Sequence, residues 1–145
     1  MTSDDWKNIS NDRDRFPGPT AVLVSGYGDA ERSTIRRFLD EQGYAAAPLK
    51  PCTKAQLDVT LSEVLADETV GEPLGEGVLP YAMVLSGLTY PDVQHVLKQF
   101  KTTGLPRPIF ATTTETNLSF TVKTLLMHLL EEQRAVREGG TPTGG

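Results

Sequence analysis

Apolar and polar residues follow two different periods along this chain. Ala21-Val22-Leu23-Val24 is a continuous apolar run that closes on Ser25-Gly26, the pattern of a strand buried on both faces. From about Asp29 to Gln42 the apolar positions Ile35, Phe38 and Leu39 share one helical face, and Gly43 supplies the stop. Tyr44 to Leu49 predicts a poorer, edge-like strand, because Pro48 and Pro51 flank or interrupt it. Thr53 is placed to cap a helix with Leu57, Leu61, Val64 and Leu65 at i, i+4, i+7 and i+8. Tyr81 to Leu85, closing on Ser86-Gly87, predicts a second buried strand. Thr89-Tyr90-Pro91-Asp92 then opens a helix with a threonine cap and an acid three residues on. Its inner face is Val93, Val96, Leu97 and Phe100, and Gly104 ends it. Pro108 to Thr112 predicts a fourth strand. A last helix runs from about Asn117 or Ser119 to Glu138, with Val122, Leu125, Leu126, Leu129 and Leu130 inward.

Two of these strand–helix units match without a gap at an offset of 61 residues. Val22-Leu23-Val24-Ser25-Gly26 lies over Met83-Val84-Leu85-Ser86-Gly87, Ile35 over Val96, Leu39 over Phe100 and Gly43 over Gly104. Four such units joined by right-handed crossovers predict an α/β fold, a three-layer sandwich with a four-stranded parallel sheet of order 2-1-3-4.

Composition narrows the picture. The 145 residues carry a formal net charge of −5, 13 glycines, 10 prolines and one cysteine. A chain of this length suits one domain. Much of the acidity sits at residues 67–80, where Asp67, Glu68, Glu72 and Glu76 stand with no base among glycines and prolines, predicting an acidic loop. Residues 1–19 scatter Trp6, Ile9 and Phe16 among charges and are expected to form a flexible arm. Residues 20–138 are expected to form the single domain, and 139–145 a flexible tail. No run of 18 apolar residues occurs and the start is acidic, so no membrane insertion is expected, and the compartment is cytoplasmic, or an organelle stroma such as the chloroplast's if the chain is a processed form. The acidic balance argues against nucleic acid as a partner. One cysteine and two histidines predict neither a metal site nor a bound cofactor.

In a parallel sheet, ligands sit at the carboxyl ends of the strands. Here that rim is rich in hydroxyls and glycines: Ser25, Gly26, Ser86, Gly87, Thr113, Thr114 and Asn117 are the candidate ligand-binding residues. Gly26-Tyr27-Gly28 begins like a dinucleotide fingerprint, but Glu31 stands where its third glycine belongs. Asp29 occupies the helix start that would otherwise attract phosphate. His95 and His128 both fall within helices, and neither serine has a Gly-x-Ser-x-Gly elbow, so no catalytic residue is assigned. Cys52, just ahead of a helix start, is a candidate reactive thiol. Thr114 and Asn117 also suit a strand-to-helix turn whose amides they would cap.

The strand–helix segment ending Phe38-Leu39-Asp40-Glu41-Gln42-Gly43-Tyr44 resembles a response-regulator receiver, with the flavodoxin-like architecture this implies. Receivers carry an acidic pair and a phosphorylatable aspartate where this chain has Ser25-Gly26 and Ser86-Gly87, so the resemblance implies a degenerate, non-phosphorylated relative. Over residues 20–135 the chain is similar to a family of small bacterial-type domains of unknown function. The segment that carries this is Ala111, Thr114, Asn117 and Phe120, spaced Ala-x-x-Thr-x-x-Asn-x-x-aromatic before a helix. That resemblance implies the fold and no activity. The expected function is a non-catalytic protein-interaction, assembly or regulatory module, with Trp6, Ile9 and Phe16 as candidate partner-binding residues. The rival expectation is a small-molecule sensor or enzyme working at the hydroxyl rim.

Overall fold

The computed structural model of the chain describes residues 14–67, 73–74 and 77–137. Strands β1 (Ala21–Ser25), β2 (Leu49–Pro51), β3 (Ala82–Ser86) and β4 (Ile109–Thr112) form one open sheet, in the order β2-β1-β3-β4. Helices α1 (Asp29–Glu41), α2 (Leu61–Ala66), α3 (Tyr90–Gln99) and α4 (Val122–Arg137) cover it. Val22, Val24, Met83 and Leu85 pack on one face against Ile35, Phe38 and Leu39 of α1 and Val93 and Val96 of α3. Ala21, Leu23, Ala82 and Val84 pack on the other against Leu61, Val64 and Leu65 of α2 and Val122, Leu125 and Leu126 of α4. Both faces are covered, which is why β1 and β3 are apolar at successive positions instead of alternating.

The strand order is the expected one, but the sheet is mixed, not parallel. β1 runs parallel to β2, and β3 to β4, while β1 and β3 pair antiparallel. The reason lies in the connection before β3. Leu74 N–H donates to the Cys52 carbonyl (3.4 Å) and Gly77 N–H to the Gly26 carbonyl (3.0 Å), which holds this segment where β1 and β2 finish. The chain therefore enters β3 from that end and must run against β1. A parallel crossover would first have to return along the sheet.

Three local expectations change as well. The helix predicted from Thr53 is a 3-10 turn at Ala55–Asp58 and a separate α2 capped by Thr60, whose side chain accepts from Glu63 N–H. Val59 between them is extended (φ −104°, ψ 148°), since the Val59 carbonyl accepts from Val122 N–H (3.0 Å). The last helix likewise begins at Val122, after a 3-10 turn at Asn117–Ser119. The second strand starts at Leu49 and not at Tyr44, because Tyr44 and Ala47 form a turn whose carbonyls are held by the Arg36 guanidinium (3.0 and 2.7 Å).

The 61-residue offset extends well beyond the segments where the side chains resemble each other. Val22 pairs with Leu49 and Met83 with Phe110; Leu23 with Lys50 and Val84 with Ala111; Val24 with Pro51 and Leu85 with Thr112. Cys52 N–H donates to Val24 O (3.0 Å), and Thr113 N–H to Leu85 O (3.2 Å). Leu61 N–H donates to Phe120 O (2.8 Å), and Val122 N–H returns a bond to Val59 O (3.0 Å). Residues 19–66 and 80–127 thus build the same unit twice. In the β1–β3 ladder Leu23 faces Val84, its own equivalent, so the approximate two-fold axis relating the units passes between these two residues.

Candidate functional site

The antiparallel seam divides the predicted rim. Ser25 and Gly26 lie at one end of the sheet and Ser86, Gly87, Thr113, Thr114 and Asn117 at the other, since Ser25 pairs with Ala82 and Ser86 with Ala21. The seven residues are therefore not brought together. Their hydroxyls are also engaged within the fold. Ser25 Oγ donates to the Pro80 carbonyl (2.7 Å), and the equivalent Ser86 Oγ to the Pro19 carbonyl (2.6 Å). Thr113 Oγ1 donates to the Pro17 carbonyl. Ser86 and Thr113 are fully buried, and no buried side-chain nitrogen or oxygen among the described residues lacks a partner.

Gly26 and Gly87 make these contacts possible. Both have positive φ (+88° and +71°), and a Cβ on either would lie 2.7–2.9 Å from backbone atoms of the segment leading into the other unit's first strand. Thr114 and Asn117 form a reciprocal turn: Thr114 N–H donates to Asn117 Oδ1 (2.8 Å) and Asn117 N–H to Thr114 Oγ1 (3.0 Å). Asn117 Nδ2 also holds the Thr112 carbonyl (3.0 Å). Thr53 and Gln56 repeat this turn in the first unit, at 3.0 and 3.3 Å.

The remaining candidates resolve individually. Trp6 and Ile9 lie outside the described residues. Phe16 packs against the α1/α3 core layer, and its N–H donates to Leu88 O (2.9 Å). Residues 14–19, read as the end of the arm, are thus held against the body. Cys52 is buried, and burial pushes its thiol pKa up to about 11, the reverse of activation. His95 is exposed and pairs with Gln42 (2.6 Å), while His128 is exposed beside the Phe120 ring. The Tyr27 hydroxyl is raised by burial and the Glu31 charge, and donates to the Pro106 carbonyl. Burial and the Asp92 hydrogen bond push Tyr44 up to about 12. Among the described residues no three histidines, cysteines or carboxylates gather as a metal site, and no helix is long and apolar enough to cross a membrane.

One further surface lies along the exposed side of the last helix. Met127 is 51% exposed and Leu130, expected inward, is 38% exposed. With Leu57, Leu79 and Leu126 they line a groove of about 340 Å³, flanked by Lys54, Lys123 and Asp58. Neither lysine makes an ion pair among the described residues. The equivalent of Met127 in the first unit is Ala66, the final residue of α2, so the groove arises where α4 continues past the repeat. The only sequence signal was the run of apolar residues on α4, which exceeds what one helical face can bury.

The chain is a mixed α/β sandwich made of two equivalent units, with the hydroxyls of Ser25, Ser86 and Thr113 turned inward and an apolar groove outside. A family model described as a domain of unknown function (DUF3783) matches residues 81–136, less than half of the chain and close to one unit, from the residue before β3 to one residue short of the end of α4. No curated protein and no solved structure matches it.

Proposed function

We propose that the protein is a non-catalytic interaction module of an assembly or regulatory kind, which receives an apolar segment of a protein partner in the groove beside α4. The observation that carries this reading is the exposure of Met127 and Leu130 next to Leu57, Leu79 and Leu126. Lys54 and Lys123 favour a partner segment that sets carboxylates beside its apolar residues. The inward engagement of Ser25, Ser86 and Thr113 supports this reading over chemistry at the strand ends.

A photo-crosslinking residue placed at position 127 of the full chain tests it. Irradiation in native extract should give a discrete protein adduct that Leu130→Glu or Lys123→Glu abolishes, with the same probe at exposed Glu131 giving none. Equal labelling from both positions would overturn the proposal. So would strong thermal stabilisation by nucleotides or phosphates, which would return attention to the strand ends.

A further inference from the structure

The two outer strands are equivalent by the 61-residue offset, yet only one is closed to a further strand. In β2, Pro48 O accepts from Val22 N–H (2.9 Å) and Cys52 N–H donates to Val24 O (3.0 Å), so alternate residues face β1. Leu49 and Pro51 turn their backbone groups outward, and Pro51 has no N–H to offer. Proline at that place is a common means of blunting an edge. In β4, Ile109 N–H donates to Tyr81 O (2.9 Å) and Thr113 N–H to Leu85 O (3.2 Å), so Phe110 and Thr112 turn outward. Thr112 stands where the other unit has Pro51, and it keeps its N–H. Its carbonyl is taken by Asn117. The Phe110 N–H and carbonyl and the Thr112 N–H have no partner among the described residues.

Side-chain features accompany this open edge. On the α1/α3 face a cleft of about 240 Å³ runs beside β4, lined by Tyr90, Val93, Leu97, Phe110 and Thr112. Its size suits one apolar side chain. Arg107 stacks on the Phe110 ring at 5.0 Å, and Lys98 lies with it in the adjoining depression; neither makes an ion pair among the described residues. A second copy of this chain pairing antiparallel at β4 would oppose these cations with themselves, whereas a segment bearing carboxylates would neutralise them.

We infer that the free edge of β4 is a strand-addition site for an extended, acidic and apolar segment of a protein partner. The outward groups of Phe110 and Thr112 pair with the incoming backbone, one apolar side chain enters the cleft, and a carboxylate meets Arg107. This surface lies on the other face of the sheet from the α4 groove and does not depend on that reading.

Panning a phage-displayed random dodecapeptide library on the full chain tests the inference. Enriched peptides should alternate apolar residues and carry carboxylates. Once synthesised, they should bind Thr112→Pro about tenfold more weakly, through loss of one backbone donor, and Arg107→Glu more weakly as well, while Met127→Glu binds them unchanged. The fold accepts proline at the equivalent position, so Thr112→Pro is expected to keep the wild-type circular dichroism spectrum. If it does not, backbone N-methylation of the peptide supplies the same test without altering the protein. No enrichment, basic consensus peptides, equal binding by Thr112→Pro, or binding unaffected by N-methylation would each overturn the inference. So would a wild-type dimer that Thr112→Pro dissociates, since the edge would then be occupied by a second copy.

Discussion

Gly87 is expected to tolerate alanine less well than Gly104, although both have positive φ. A Cβ at Gly87 lies 2.7 Å from backbone atoms of Thr20, which cannot move aside as a flexible side chain can, whereas among the described residues nothing lies within 4 Å at Gly104. Equilibrium urea unfolding should give a loss of about 2–4 kcal/mol for Gly87→Ala and about 1 kcal/mol for Gly104→Ala. Cys52 offers a second test. Its thiol should resist iodoacetamide at neutral pH until the protein unfolds. The unfolded chain releases this proton near pH 9.0 and the folded one near 11, so the stability Cys52 contributes is complete below pH 9 and falls as pH rises through 11. Thermal melts at pH 8 and 10.5 should therefore diverge less in Cys52→Ala than in the wild type. At this scale residue chemistry was legible in the sequence and direction was not. Ser25, Ser86 and Thr113 stood out as hydroxyls at strand ends. What each hydroxyl bonds depends on Pro80, Pro19 and Pro17, which come into reach only through the antiparallel seam.

The elements most legible in the sequence were those whose ends are set by adjacent residues. The Thr89–Asp92 capping box opens α3, and the apolar runs Ala21–Ser25 and Ala82–Ser86 are strands. The Thr114–Asn117 turn, expected from local capping, is observed with both bonds formed. Thr114→Ala and Thr53→Ala should each lower stability by about 1 kcal/mol, to a similar degree, because they remove equivalent caps; denaturant midpoints will compare them. What failed was set at a distance. The break at Val59 depends on hydrogen bonding to Val122, and helical periodicity across Leu57 to Leu65 cannot report it. The exposure of Leu130 is similar: its spacing matches the inner face of α4, but among the described residues nothing of the first unit covers it.

At the scale of the molecule, strand order followed from the element sequence, but orientation required the path of the connection near Leu74 and Gly77. The same geometry makes each core layer a joint product of the two units. Ile35 and Val24 pack in one layer with Val96 and Met83, and Leu61 and Leu23 in the other with Val122 and Val84. A protease site inserted between residues 70 and 71 should therefore cut the chain without separating it. The nicked protein is expected to elute at the undivided mass in gel filtration and to part into two fragments only in denaturant. Separation under native conditions would show that the units do not share their cores.

The seam between β1 and β3 has a further consequence for abundance. If the two units were on separate chains, their pairing would be a bimolecular association and would weaken on dilution. Tethered through residues 67–79, each meets the other at an effective concentration on the order of millimolar, whatever the amount of protein present. The family match covers close to one unit, and in this chain that unit always has its counterpart attached. The chain keeps its sheet at any copy number, and the β4 edge and the α4 groove stay exposed however few molecules there are.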